Sequence, residues 1–142
     1  MKMKYLIDAN IFLQAALEQG KDSQCRKFLD KVTEGEIEAS VTLFHLDASA
    51  VVMENRGLES SEIGNFYFEA YSSQGLEIVN MGVSSRLNAL AEDSSSGLDD
   101  GLMLQAFKEL DIDKIVSYDT DFQKENCITP EEIIGHEGVD SS

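Results

Sequence analysis

Basic residues are scarce in this sequence. Eleven Lys and Arg stand against 27 Asp and Glu, a formal net charge of −16. A protein that holds nucleic acid by general electrostatic attraction carries the opposite sign, so that mode of binding is excluded at low salt. Cysteine is nearly absent as well. Cys25 and Cys127 are too few and too far apart for a zinc knuckle or a disulfide framework. His45 and His136 are the only histidines, and no His/Cys metal spacing occurs. No apolar run approaches the ~20 residues of a membrane span. The basic start Met1-Lys2-Met3-Lys4 leads into an apolar stretch broken by Asp8 and Asn10, unlike a secretory signal. A Gly-rich phosphate loop and a nucleophile elbow are also missing. The expectation is a cytoplasmic protein with no membrane association.

What is present suits one folded domain. The chain has 142 residues, 42% of them apolar. At that size roughly 68% of the unfolded surface is buried, enough for a core without covalent staples. A short β-prone run, Lys4-Tyr5-Leu6-Ile7, is followed by apolar residues at helical spacing from Ile11 towards Gly20. Cys25, Phe28, Leu29 and Val32 mark a second helix over 22–32, with Cys25 a small buried hydrophobe. Strand candidates follow at 37–41, 76–79, 114–118 and 127–128. Helices are predicted over 42–55, 60–72, 84–93 and 98–110. In the 60–72 segment Ile63, Phe66, Tyr67, Ala70 and Tyr71 share one face, suited to core or partner-helix packing. Thr129-Pro130-Glu131-Glu132 is a helix start, with Thr129 as cap and Glu132 as the capping-box acid. Residues 1–135 form the expected domain and 136–142 a frayed tail. Strands alternating with helices predict an α/β layer fold with a mainly parallel sheet.

With 27 acids, abundance decides nothing, and most of the excess reads as a solvated coat that salt screens. Position is more informative. Asp8 and Asp119 each follow a predicted strand directly, at the carboxyl edge where parallel sheets bind ligands. Asp47 takes the i+3 place of an apolar stripe formed by Phe44, Ala48 and Val51, so it is expected to face inward. Asp99 and Asp100 open the helix that continues through Leu102, Met103, Ala106 and Phe107. An acid in a first helical turn also gains about 0.3–1 kcal/mol from the helix dipole. Four carboxylates pressed together need a hard divalent cation, and Mg²⁺ or Mn²⁺ is the expected cofactor.

The ordered motifs resemble a known family. Leu6-Ile7-Asp8-Ala9-Asn10-Ile11-Phe12-Leu13 is similar to the opening motif of PIN domains, the ribonuclease fold that includes VapC-type toxins. Asp100-Gly101-Leu102-Met103-Leu104-Gln105-Ala106 resembles the family's aspartate–small–apolar helix. Ile115-Val116-Ser117-Tyr118-Asp119-Thr120-Asp121-Phe122 resembles its last acidic motif, and Ile128-Thr129-Pro130-Glu131-Glu132 its usual ending.

The resemblance implies a three-layer α/β/α domain. It makes Asp8, Asp100 and Asp119 metal-site acids, with Asn10, Asp99, Ser117 and Asp121 in support. It departs at the second acid, where the family has a Glu in the helix after strand two. His45 or Ala50 stands there, and Asp47 is the nearest substitute, as a further ligand or to orient water. The implied activity is metal-dependent hydrolysis of RNA phosphodiesters, with phosphate contacts falling to cations such as Arg56, Arg86 and Lys124. The implied partners are an RNA substrate, a cognate antitoxin basic where it meets the acidic pocket, and a second copy of the chain. Helices 22–32 and 60–72 would form the homodimer or hold the antitoxin. The alternative is a PIN-like module, weak or inactive as an enzyme, that binds a protein partner.

Overall fold

The computed structural model describes residues 2–17, 22–92, 97–119, 122 and 124–140, with the side chains at 22, 92 and 136–140 outside the description. Its elements follow the alternation read from the sequence. They are β1 (Tyr5–Ile7), α1 (Ala9–Leu17), α2 (Asp22–Thr33), β2 (Ala39–Thr42), α3 (Leu43–Asn55), α4 (Ser60–Ser72) and β3 (Leu76–Val79). There follow α5 (Val83–Glu92), α6 (Gly97–Glu109), β4 (Lys114–Val116), β5 (Cys127–Ile128) and α7 (Pro130–Asp140).

The strands form one sheet in the order β3-β2-β1-β4-β5, with each neighbouring pair parallel. The chain builds outward from β1 to β3, then returns to the other side of β1 for β4 and β5. Strand order therefore reverses between β1 and β4. A crevice opens at such a switch point, beyond the carboxyl ends of the strands.

Alternation along β1 explains the layers. Tyr5 and Ile7 join a core with Phe28, Val32, Leu46 and Ile133, from α2, α3 and α7. Leu6 points the other way, to Ile115, Met103, Ala106 and Phe122. Both sheet faces are thus covered by helices, as parallel strands require. Two glycines permit close approaches. A Cβ on Gly75 would lie 2.2 Å from the Ile37 carbonyl oxygen, and one on Gly101 would lie 3.3 Å from the Ala89 Cβ on α5. At α7, Glu132 N–H donates to Thr129 Oγ1 (3.3 Å) and Thr129 N–H to Glu132 Oε1 (3.1 Å). That closes the expected capping box.

Two expectations are corrected. The inner face of α3 is His45, Leu46, Ser49, Ala50 and Met53, while Val51 is 56% exposed. Ser49 is polar by type but donates to the His45 carbonyl oxygen (2.9 Å), so it is tolerated inside. Tyr71 leaves the apolar face of α4 and is 81% exposed, while Ala70 is buried. The α7 backbone is helical through Asp140. Among the described residues, no helix is long and apolar enough to cross a membrane.

Candidate active site

Asp8 sits immediately after β1, at the switch point. Its main-chain N–H donates to the Val116 carbonyl oxygen of β4 (3.1 Å), which locks it to the neighbouring strand. Its carboxylate accepts from the Asn10 backbone N–H, so the side chain also caps α1. Asn10 contributes that main-chain donor while its own side chain is exposed. Asp8 is only 7% exposed. Burial raises its pKa, against the opposing pull of the Ser117 and Asn10 hydrogen bonds and of nearby His45; the charge on Asp99 raises it further.

Ser117, buried at the end of β4, bridges two of the predicted acids. Its Oγ donates to Asp8 Oδ2 (2.7 Å) and accepts from the Asp119 N–H (2.9 Å). Asp119 is half-buried at the same rim. Both Asp8 and Asp119 act electrostatically on Cys127, whose thiol is pushed up first by burial and then by these two charges. Strand ends from opposite sides of the switch point thus bring Asp8, Ser117 and Asp119 together.

The second-acid position is occupied differently. Thr42 caps α3, its Oγ1 accepting the His45 N–H (3.0 Å). The same hydroxyl hydrogen-bonds His45 Nδ1. His45 is fully buried, and its Nε2 lies 2.9 Å from Asp99 Oδ1 and 3.3 Å from the Asp99 carbonyl oxygen. Both of those oxygens only accept, so Nε2 carries a hydrogen. The hydrogen bond from His45 lowers the pKa of Asp99, although the Asp99 side chain is 64% exposed. Phe44 packs edge-on against the imidazole, with centroids 5.1 Å apart, and the Arg86 guanidinium lies over the Phe44 ring.

The predicted residues are therefore partly gathered. Asp8, Asp99, Asp119 and Ser117 surround one rim, and Asp100 lies half-buried in the first turn of α6 beside Asp99. Asp47 is not brought in. It is exposed on α3 and accepts a 2.6 Å hydrogen bond from the Tyr67 hydroxyl of α4. With burial, that bond pushes the Tyr67 phenol up to about 12. Asp121 lies outside the described residues. The Thr42–His45–Asp99 chain went unforeseen as a unit. Its one sequence signal is a capping threonine three residues before a histidine.

Among the described residues no three of His, Cys, Asp and Glu lie close enough to hold a metal ion. His45 Nε2 is a donor, and one Asp99 oxygen is committed to it. The donor set does not fit a closed protein cage. It fits an ion of the Mg²⁺ type, which takes one or two carboxylates and completes its shell with water and substrate phosphate.

No protein-family model matches the chain, and no curated protein matches it. Its fold does match solved structures. One is the Mycobacterium tuberculosis toxin VapC20, which cleaves the sarcin–ricin loop. That match covers 82% of this chain and 91% of VapC20 with a TM-score of 0.68, at 8% sequence identity. The likeness is one of fold: a parallel five-stranded sheet flanked by helices, matching the PIN-like fold of VapC20.

Proposed function

We propose that the chain is a divalent-metal-dependent ribonuclease, the toxin component of a toxin–antitoxin pair, acting on RNA at the Asp8 rim in the cytoplasm. One observation carries the reading. A buried carboxylate is fixed across the β1/β4 switch point by Ser117, with Asp99 and Asp119 beside it. The fold-level likeness to a toxin that cleaves RNA supports it.

Each residue has a separate task. Ser117 donates to Asp8 Oδ2 and so fixes the orientation of that carboxylate, while the Asn10 N–H holds it from the α1 side. Asp8 and Asp119, with Asp100 nearby, are the acids that would hold Mg²⁺ or Mn²⁺. Such an ion supplies the positive charge that draws a phosphate into an acidic rim and acidifies a water for attack. His45, through its bond to Asp99, sets the first turn of α6 against α3. Asp47 joins α3 to α4 and has no part in the chemistry. In this reading the partner is a basic antitoxin segment, because an Arg or Lys meets the acidic rim with charge-assisted hydrogen bonds. A homodimer belongs to the same proposal.

A second reading, a PIN-like module that binds a protein and cleaves nothing, is favoured by the His45–Asp99 pair, which replaces an open acid with an engaged one. Incubating single-stranded RNA with the protein in Mn²⁺, in Mg²⁺ and in chelator separates the two. The enzyme reading expects cleavage that the chelator abolishes. Intact RNA under every ionic condition, together with tight binding of a basic peptide, would replace it with the second reading.

A further inference from the structure

Beside the Asp8 rim, beyond the carboxyl ends of β4 and β5, lies a cavity of about 490 Å³. This is within the ~300–1,000 Å³ range of small-ligand sites. Ser117 forms part of its wall, and the same Ser117 hydroxyl donates to Asp8. The cavity is thus one hydrogen bond away from the proposed reaction centre. Asp119 also lines it, so the cavity and the Asp8 rim share a wall.

Its lining is mixed in a particular way. Tyr118, Phe122 and Ile128 supply apolar and aromatic surface. Phe122 is anchored in the core on one face of the sheet, and Tyr118 packs against the core on the other. The Tyr118 hydroxyl donates to Glu131 of α7, which holds the ring in place. Among the described lining residues Lys124 is the one basic side chain, and it is exposed. Asp119 and Glu132 place two carboxylates in the same lining. Single-stranded RNA is recognised by this combination, a splayed base against aromatic or apolar walls and a cation on the backbone.

We propose that this cavity takes one nucleobase of a single-stranded RNA, flanking the phosphate at the Asp8 rim, with Lys124 on the adjoining phosphate. The inference rests on the reading of RNA as the substrate and adds how that substrate is seated. With two carboxylates in the lining, the seat depends on the apolar and aromatic walls, and Lys124 is the one counter-charge to phosphate among the described lining residues.

Cys127 provides the test, because its half-buried thiol lines the cavity whereas Cys25 is fully buried. Alkylation of the native protein by N-ethylmaleimide at alkaline pH is followed with and without adenosine 5′-monophosphate. Binding slows modification by 1 + [L]/Kd, about five-fold at four times Kd. Inorganic phosphate at the same concentration should leave the rate unchanged. Lys124→Glu should raise the concentration giving half-protection about ten-fold, the loss of one charge-assisted contact. Calorimetric titration with the same nucleotide reads binding independently of the thiol. Absence of heat and of protection with adenosine, cytidine, guanosine and uridine monophosphates overturns the proposal, as does equal protection by phosphate alone. RNA cleavage without nucleotide binding would remove the seat and leave the nuclease reading standing. Nucleotide binding without cleavage would do the reverse.

Discussion

Replacing His45 by glutamate should destabilise the domain in chelator and make its stability depend on divalent ions. Glutamate places an oxygen the same number of bonds from Cβ as Nε2, so it enters a fully buried site next to Thr42, Asp99 and Asp8. The new carboxylate can accept from the Thr42 hydroxyl. The Nε2–H donor to Asp99 is lost, however, and a charge of like sign faces the Asp99 carboxylate. Two such charges about 5 Å apart repel by about 3 kcal/mol at an effective dielectric of ~20. The 64% exposure of Asp99 screens part of this repulsion. The lost hydrogen bond restores about 1 kcal/mol of cost. A net loss of about 3 kcal/mol follows, or roughly 6–12 °C in Tm for a chain near this size. An ion bridging the new carboxylate and its neighbours at 100 times its Kd returns about 2.7 kcal/mol. Thermal melts of both proteins, in chelator and across a Mn²⁺ series, measure each part. If His45→Glu melts with the wild type in chelator, or responds to Mn²⁺ no more than the wild type does, then the placement of His45 against the acids is wrong.

Asp8→Asn should stabilise the protein at neutral pH by about 0.5–2 kcal/mol, as expected when a strained functional group is removed, read by denaturant melts. The sign follows from the raised pKa. The unfolded chain releases this proton at lower pH than the native one, so wild-type stability falls as pH rises from the ordinary carboxylate range through the folded value. The variant should lack that decline. Asp99 behaves oppositely: its lowered pKa gives stability that is present above the ordinary value and lost as pH falls through the folded one, so Asp99→Asn should flatten the acid limb of the profile. Asp47→Ala should leave RNA cleavage unchanged and bring one tyrosine titration down from about 12 towards its ordinary value, seen in the phenolate absorbance. Gly75→Ala should cost about 3 kcal/mol or more, since its Cβ would meet the Ile37 and Val32 carbonyl oxygens at 2.2 and 2.7 Å. An unchanged urea midpoint would contradict that packing.

The elements were legible wherever local chemistry fixed them. Tyr5-Leu6-Ile7 alternates between two cores, and Thr129 with Glu132 closes a box that four residues suffice to specify. Asp8 and Asp119 were legible for the same reason: a strand end defines its own edge of the sheet. The α3 helix was misread because two of its inward residues are polar by type. His45 and Ser49 are acceptable inside only through Thr42, Asp99 and backbone carbonyls. A hydrophobic stripe drawn without those partners turns the helix and places Asp47 inside. Asp99 and Asp100 posed a similar difficulty. Neighbours on a helix point about 100° apart, and which one meets α3 depends on a histidine 54 residues earlier in the chain. The tyrosine that holds Asp47 is likewise supplied by another helix.

The rate of single-stranded RNA cleavage by Asp8→Asn, measured against wild type in the presence of Mn²⁺, bears most directly on the carboxylate gathered at the β1/β4 crevice. A fall of about 100-fold or more, in a variant whose thermal transition is intact or higher, is the predicted result. Equal rates for the two proteins would contradict a reaction centre at Asp8.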